Sequence, residues 1–176
     1  MYNGKTLLTA ITAFVHILLD GHSHNDFSHI LFGGKLIALI QKTGGVRQVV
    51  TGYILRSLAA KYAARYACMK LQDFLSPRQA GIGVSGSCEA IVHATRRFID
   101  NMTADDVVVK LDISNAFNSL HRAYMLSCVA ERIAEIYKFC SSSYDVDSTL
   151  QFGEFMILSL VGPQNGDPLS GRSTTG

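Results

Sequence analysis

The sequence lacks a surplus of one charge, a paired cysteine spacing and an apolar run long enough to cross a bilayer. Sixteen Lys and Arg stand against fourteen Asp and Glu, a formal net charge of +2. That balance gives no argument for a nucleic-acid partner and none against a local basic groove. Cys68, Cys88, Cys128 and Cys140 show neither zinc nor redox spacing, so reduced thiols and an intracellular setting, cytoplasm or nucleus, are expected. The run Leu7 to Leu19 is interrupted by His16 and falls short of the roughly 20 apolar residues of a membrane span. It has no basic start and no small-residue cleavage pattern, so neither a signal peptide nor a membrane partner is expected. No repeat, low-complexity tract or linker divides the chain.

What is present is 176 residues with 48% hydrophobic content, enough for one domain with a real core. Leu7 to Leu19 reads as a core helix. GGKLIALIQKTGGVRQVVTG has two apolar runs flanking Thr43-Gly44-Gly45, the composition of a β-hairpin. Between Tyr53 and about Leu75, Ile54, Leu55, Leu58, Tyr62, Tyr66 and Met69 recur at helical spacing, with Arg56, Lys61 and Arg65 apart from them. The spacing predicts an amphipathic helix that Pro77 ends. A second helix is expected from about Ser87 to Met102 and a strand over Val107 to Asp112. One or two helices should follow to about Phe139, then a strand pair around Gly153. The fold class is α+β.

Three stretches carry candidate chemistry. GIGVSG, Gly81 to Gly86, satisfies G-x-G-x-x-G, but LSPRQA before it cannot be the buried strand that a dinucleotide site requires. A tight loop before a helix is the plainer reading. His22, His24 and Asp26 lie in a polar loop without a full zinc ligand set, and solvated loop residues are the default. Asp112 stands out, because VVVKLD ends an apolar run on a carboxylate. A carboxylate left in an apolar setting is costly unless something positive meets it. It could hold a hard divalent cation together with the carbonyl of Ile113, or it could cap the next helix, as could Ser114. Spacing alone leaves both open.

Several blocks in order resemble the reverse transcriptases of non-LTR, LINE-like retrotransposons. GGVRQVVTGYILRSLAAKYA resembles the fingers segment, RQAGIGVSGSCEAIVHATRRFID the block before the palm, KLDISNAFNSLHR motif A and GPQNGDPLSG motif B. The resemblance implies a partial right-hand polymerase, with fingers and leading helices over about 1–105 and an incomplete palm over about 106–176. It implies an RNA template, a DNA primer and dNTPs as partners and two Mg2+ ions as cofactors. Asp112 would bind both ions with Ile113 beside it, and Phe117 would exclude a 2′-hydroxyl. Arg47, with Lys42, would meet the triphosphate, and Asn165 and Gly166 would face the nucleotide.

The chain also departs from that pattern. Asn165 replaces the usual glutamine, and Gln48 the usual proline after the fingers arginine. No adjacent aspartate pair of the motif C kind follows motif B, and Asp105-Asp106 precedes motif A. The expectation is a truncated polymerase domain, inactive alone. A non-catalytic nucleic-acid-binding remnant and, further off, a dinucleotide-binding oxidoreductase fragment remain as alternatives.

Overall fold

A 22-residue helix, α3 (Ile54–Leu75), is the support on which the other elements assemble. The structure, a computed structural model, describes residues 4–22, 25–42, 44–79, 82, 84–113 and 116–170. Among these are six further α-helices, α1 (Gly4–Leu19), α2 (Asn25–Leu31), α4 (Ser87–Asp100), α5 (Ala116–Ser119), α6 (Arg122–Arg132) and α7 (Tyr137–Tyr144). Four strands join them: β1 (Gly34–Ile40), β2 (Val46–Gly52), β3 (Ser148–Phe152) and β4 (Phe155–Ser159). The fold is α+β, as its composition and periodicity led us to expect, and no described helix is long and apolar enough to cross a membrane.

The sheet is mixed, in the order β2-β1-β3-β4. β1 and β2 form the expected antiparallel hairpin, with Leu39 opposite Arg47 and Ala38 opposite Gln48. β3 and β4 form the second, turning at Gly153 with φ 59°, a left-handed value that glycine takes without steric penalty. The two hairpins join through a short parallel contact of Gly34 with Leu150 and Lys35 with Gln151. Hairpin β1–β2 is local in sequence, whereas the parallel join closes a loop of more than a hundred residues.

The core lies between helices. Leu18 of α1, Phe32, Ala59, Ala60 and Ala63 of α3, Leu126 of α6 and Phe139 and Cys140 of α7 are buried together. Only the C-terminal half of α1 takes part, since Leu7 and Leu8 remain exposed. In α3 the buried face is not the one its large apolar residues mark. Ile54, Leu58, Tyr62 and Met69 are exposed, while Arg56, Ala59, Ala60 and Ala63 are buried. Alanines at this i, i+1, i+4 spacing let neighbouring backbone come close, and close approach decides the face more than side-chain volume does.

The strand expected over Val107 to Asp112 is absent. Residues 107–113 have no regular secondary structure, no strand partner and no backbone hydrogen bond to another described residue. The sheet is completed by the two hairpins, and neither of its edge strands, β2 or β4, pairs with this segment. β propensity without a partner strand leaves backbone groups to water. His24, the Asp26 side chain, Thr43, Gly81, Gly83, Ser114 and the stretch 171–176 lie outside the described residues.

Candidate functional site

The loop after β4, Gly162 to Asp167, and the 3-10 turn Pro168–Ser170 are where distant parts of the sequence meet. Arg56 and Asp167 form a salt bridge in which both side chains are almost wholly buried. The Tyr144 hydroxyl donates to the same Oδ2 of Asp167, and the Leu169 N–H donates to its Oδ1 at 3.1 Å. Gln164 adds a second tie. Its Oε1 accepts from Arg56 at 3.2 Å, and its Nε2 donates to Ser148 Oγ at 2.7 Å and to the Phe32 carbonyl at 3.1 Å. Burial, with the neighbouring Asp167 charge, holds the Tyr144 phenol well above its usual range, so it stays a donor. Among the described residues Arg56 Nε has no partner, a small defect in a network whose other members are hydrogen-bonded.

The effect of this anchor is to press the loop onto β2. The Val50 N–H donates to the Asn165 carbonyl at 2.7 Å, and Asn165 Nδ2 donates to the Gln48 carbonyl at 2.9 Å. Arg47, next along the strand, is exposed. Gly166, with φ 104°, fits against β2 so closely that a Cβ there would sit 2.6 Å from the Val50 carbonyl oxygen. At the start of the loop Arg122 Nε donates to the Gly162 carbonyl at 3.0 Å, and its Nη2 donates to Ser159 Oγ at 2.8 Å. Gly162, φ 69°, faces the backbone of Phe117 and Asn118 in α5. A cavity of ≈ 340 Å³ opens here, lined by Leu36, Val50 and Leu150 and by the polar Gln48, Asn118 and Asn165.

Of the residues singled out in the sequence, Arg47, Asn165 and Gly166 thus gather at β2, and Phe117 stands behind Gly162 on the short α5 with its ring about half exposed. Lys42 is exposed in the turn between β1 and β2. Asp112 and Ile113 sit in the irregular segment 107–113, both exposed. That removes the reason to expect a cation there to offset burial. It also weakens the cap reading, because α5 begins only at Ala116. Among the described residues no three His, Cys, Asp or Glu side chains converge as a metal site. Asp106 accepts from Thr103 N and Oγ1, each at 2.9 Å. Those bonds, the backbone one first, hold its carboxyl below the usual range. The chain matches no protein-family model and no curated protein.

Sequence reading missed Arg56, Asp167, Gln164, Tyr144 and Arg122. The sequence pattern sets Arg56 apart from the large apolar residues of α3. A usable signal was present in the alanines at 59, 60 and 63, which share its face.

Gly162 offers a direct check. Gly162→Ala adds a Cβ at a left-handed φ and drives it into the Phe117 carbonyl oxygen and to 2.9 Å from Asn118 Cα. Backbone cannot yield as a side chain can, so a loss of about 2 kcal/mol or more is expected. Urea titration should show a lower midpoint at unchanged slope, and an unchanged midpoint would mean that the loop does not pack on α5.

Proposed function

We propose that this chain is a portion of a reverse transcriptase, an RNA-directed DNA polymerase of the non-LTR retrotransposon kind, carrying its fingers hairpin and motifs A and B without motif C. The observation that carries the reading is the clamp of Asn165 onto β2 beside Arg47. Two blocks 117 residues apart, which resemble the fingers and motif B, meet where a nucleotide would have to be held between them. Arg47 presents a planar, permanently charged fork suited to a phosphate chain. Asn165 and Gly166 present a polar edge and a flat backbone next to it. The half-exposed Phe117 ring is free of the core, as a sugar-contacting ring must be.

The fit to metal is incomplete. Asp112 with the Ile113 carbonyl supplies one carboxylate and one neutral oxygen, short of what two Mg2+ ions need. The roles open to these residues are therefore binding and orientation: Arg47 and Lys42 for the phosphates, Asn165 and Gly166 for the base, Phe117 for the sugar. RNA template, DNA primer and dNTPs are the partners this assigns.

The test is primer extension. The 176-residue chain should give no template-dependent synthesis with any divalent cation, whereas a chimera carrying a related element's motif C and thumb after Leu169 should extend a DNA primer on RNA. Extension by the purified chain alone, or a folded chimera that never extends, would overturn the proposal.

A further inference from the structure

The chain exposes 13207 Å², while a closed monomer of 19.2 kDa presents roughly 8,400 Å². A stable interface buries about 1,200–2,000 Å² in total, well inside that excess. The barest apolar surface is in the segment 107–113, where Val107, Val109, Leu111 and Ile113 are 77%, 70%, 85% and 73% exposed. These four alternate with Val108, Lys110 and Asp112, the two-residue period of a strand with one apolar face. The stretch has one neighbour already, since Val107 to Val109 lie along Ala94, Thr95 and Phe98 of α4. What it lacks is a strand beside it.

Independently of the polymerase reading, we propose that two copies of this chain associate by pairing residues 109–113 as an antiparallel ribbon, with the twofold axis passing through Leu111. The charges select that register. With Leu111 on the axis, Lys110 of each copy faces Asp112 of the other, Val109 faces Ile113 and Leu111 faces its own counterpart, so the ion pair and the Val109–Ile113 pair each occur twice. Centring the axis on Lys110 or on Asp112 sets like charges directly opposite, and a one-residue slip sets a charge against Leu111. Opposite charges across an antiparallel pair stabilise it and like charges destabilise it. A C2 interface repeats each effect. The pairing also gives hydrogen-bond partners to the backbone of 109–113, which bonds to no other backbone group among the described residues.

The experiment is sedimentation equilibrium of the full chain and two single variants, Lys110→Asp and Asp112→Lys. The chain should dimerise, and each variant alone should raise the dimer Kd by roughly tenfold or more. Mixed together, the two variants should form a heterodimer of restored affinity, because every cross-strand pair is then opposite in sign. The double variant should dimerise by itself. For register, Leu111→Cys should form an intermolecular disulfide on oxidation and Lys110→Cys should not, in a background with Cys68, Cys88 and Cys128 changed to Ser. Cys140 can stay, because burial pushes its thiol up to about 12. A monomeric chain, a dimer indifferent to the charge changes, or a mixture of folded variants that fails to pair would each overturn the proposal.

Discussion

Arg56→Met should lower the stability of the chain by about 3–5 kcal/mol, the range for removing one member of a buried ion pair and leaving the other charge behind. Arg56 and Asp167 are both almost wholly buried, so solvent screening does not soften the loss. The carboxylate keeps Tyr144 and the Leu169 N–H but loses its countercharge, and Gln164 Oε1 loses the donor that fixes it against α3. The informative control is Arg56→Met combined with Asp167→Leu. Replacing a buried pair with apolar side chains of similar volume is often close to neutral, so the double variant should be more stable than Arg56→Met alone. Equilibrium denaturation of the parent chain, Arg56→Met, Asp167→Leu and the double variant closes the cycle and measures the coupling. A single-variant loss below about 1 kcal/mol would show that the pair does not hold the loop.

Asp112→Asn should abolish primer extension in the chimera that restores motif C and the thumb. The amide keeps the shape and removes the charge that a hard divalent cation requires. Asp112 is exposed, so the same change should leave the melting temperature of the monomer, measured at a concentration too low for association, within a degree or two, as is usual for surface substitutions. Activity and stability therefore separate at this residue. Phe117→Ala should separate them in a second way. Phe117 is 47% exposed, so little cavity is created. Synthesis should persist while ribonucleotides begin to be incorporated. Full activity of the Asp112→Asn chimera would remove the metal-binding role, and unchanged sugar discrimination would remove the role of Phe117.

Local patterns in the sequence were a good guide where the structure is local. The hairpin around Gly44 and Gly45, the pair of strands around Gly153, and the long helix before Pro77 each rest on periodicity and turn chemistry confined to about twenty residues. What escaped depends on partners far along the chain. Valines at 107 to 109 state a preference for strand, but a strand needs a neighbour, and the sheet gives them none. The periodicity of α3 finds an apolar stripe without saying which stripe meets the core, and here the alanines around Arg56 meet it. In the sequence Asp167 stands in the polar run GPQNGDP with no mark to separate it from its neighbours. Only the approach of α3 and α7 turns it into a buried charge with Arg56 and Tyr144 as partners. Arg47, Asn165 and Gly166 were singled out through family resemblance, and the hydrogen bonds between the loop and β2 explain how such separated residues come together.

The Arg56–Asp167 pair joins positions 111 residues apart, and that separation sets an order on events during synthesis. At about 5–20 residues per second, the ribosome needs roughly 5–20 s to make Asp167 after Arg56 has been added. Through that interval α3 holds a guanidinium with no countercharge, so its inner face must stay wet and the alanines beside it cannot close on α1 and α7. The hairpin of β1 and β2 waits in the same way for β3. Nascent chains halted short of residue 167 should accordingly be cut readily by protease within α3, and chains released beyond it should resist.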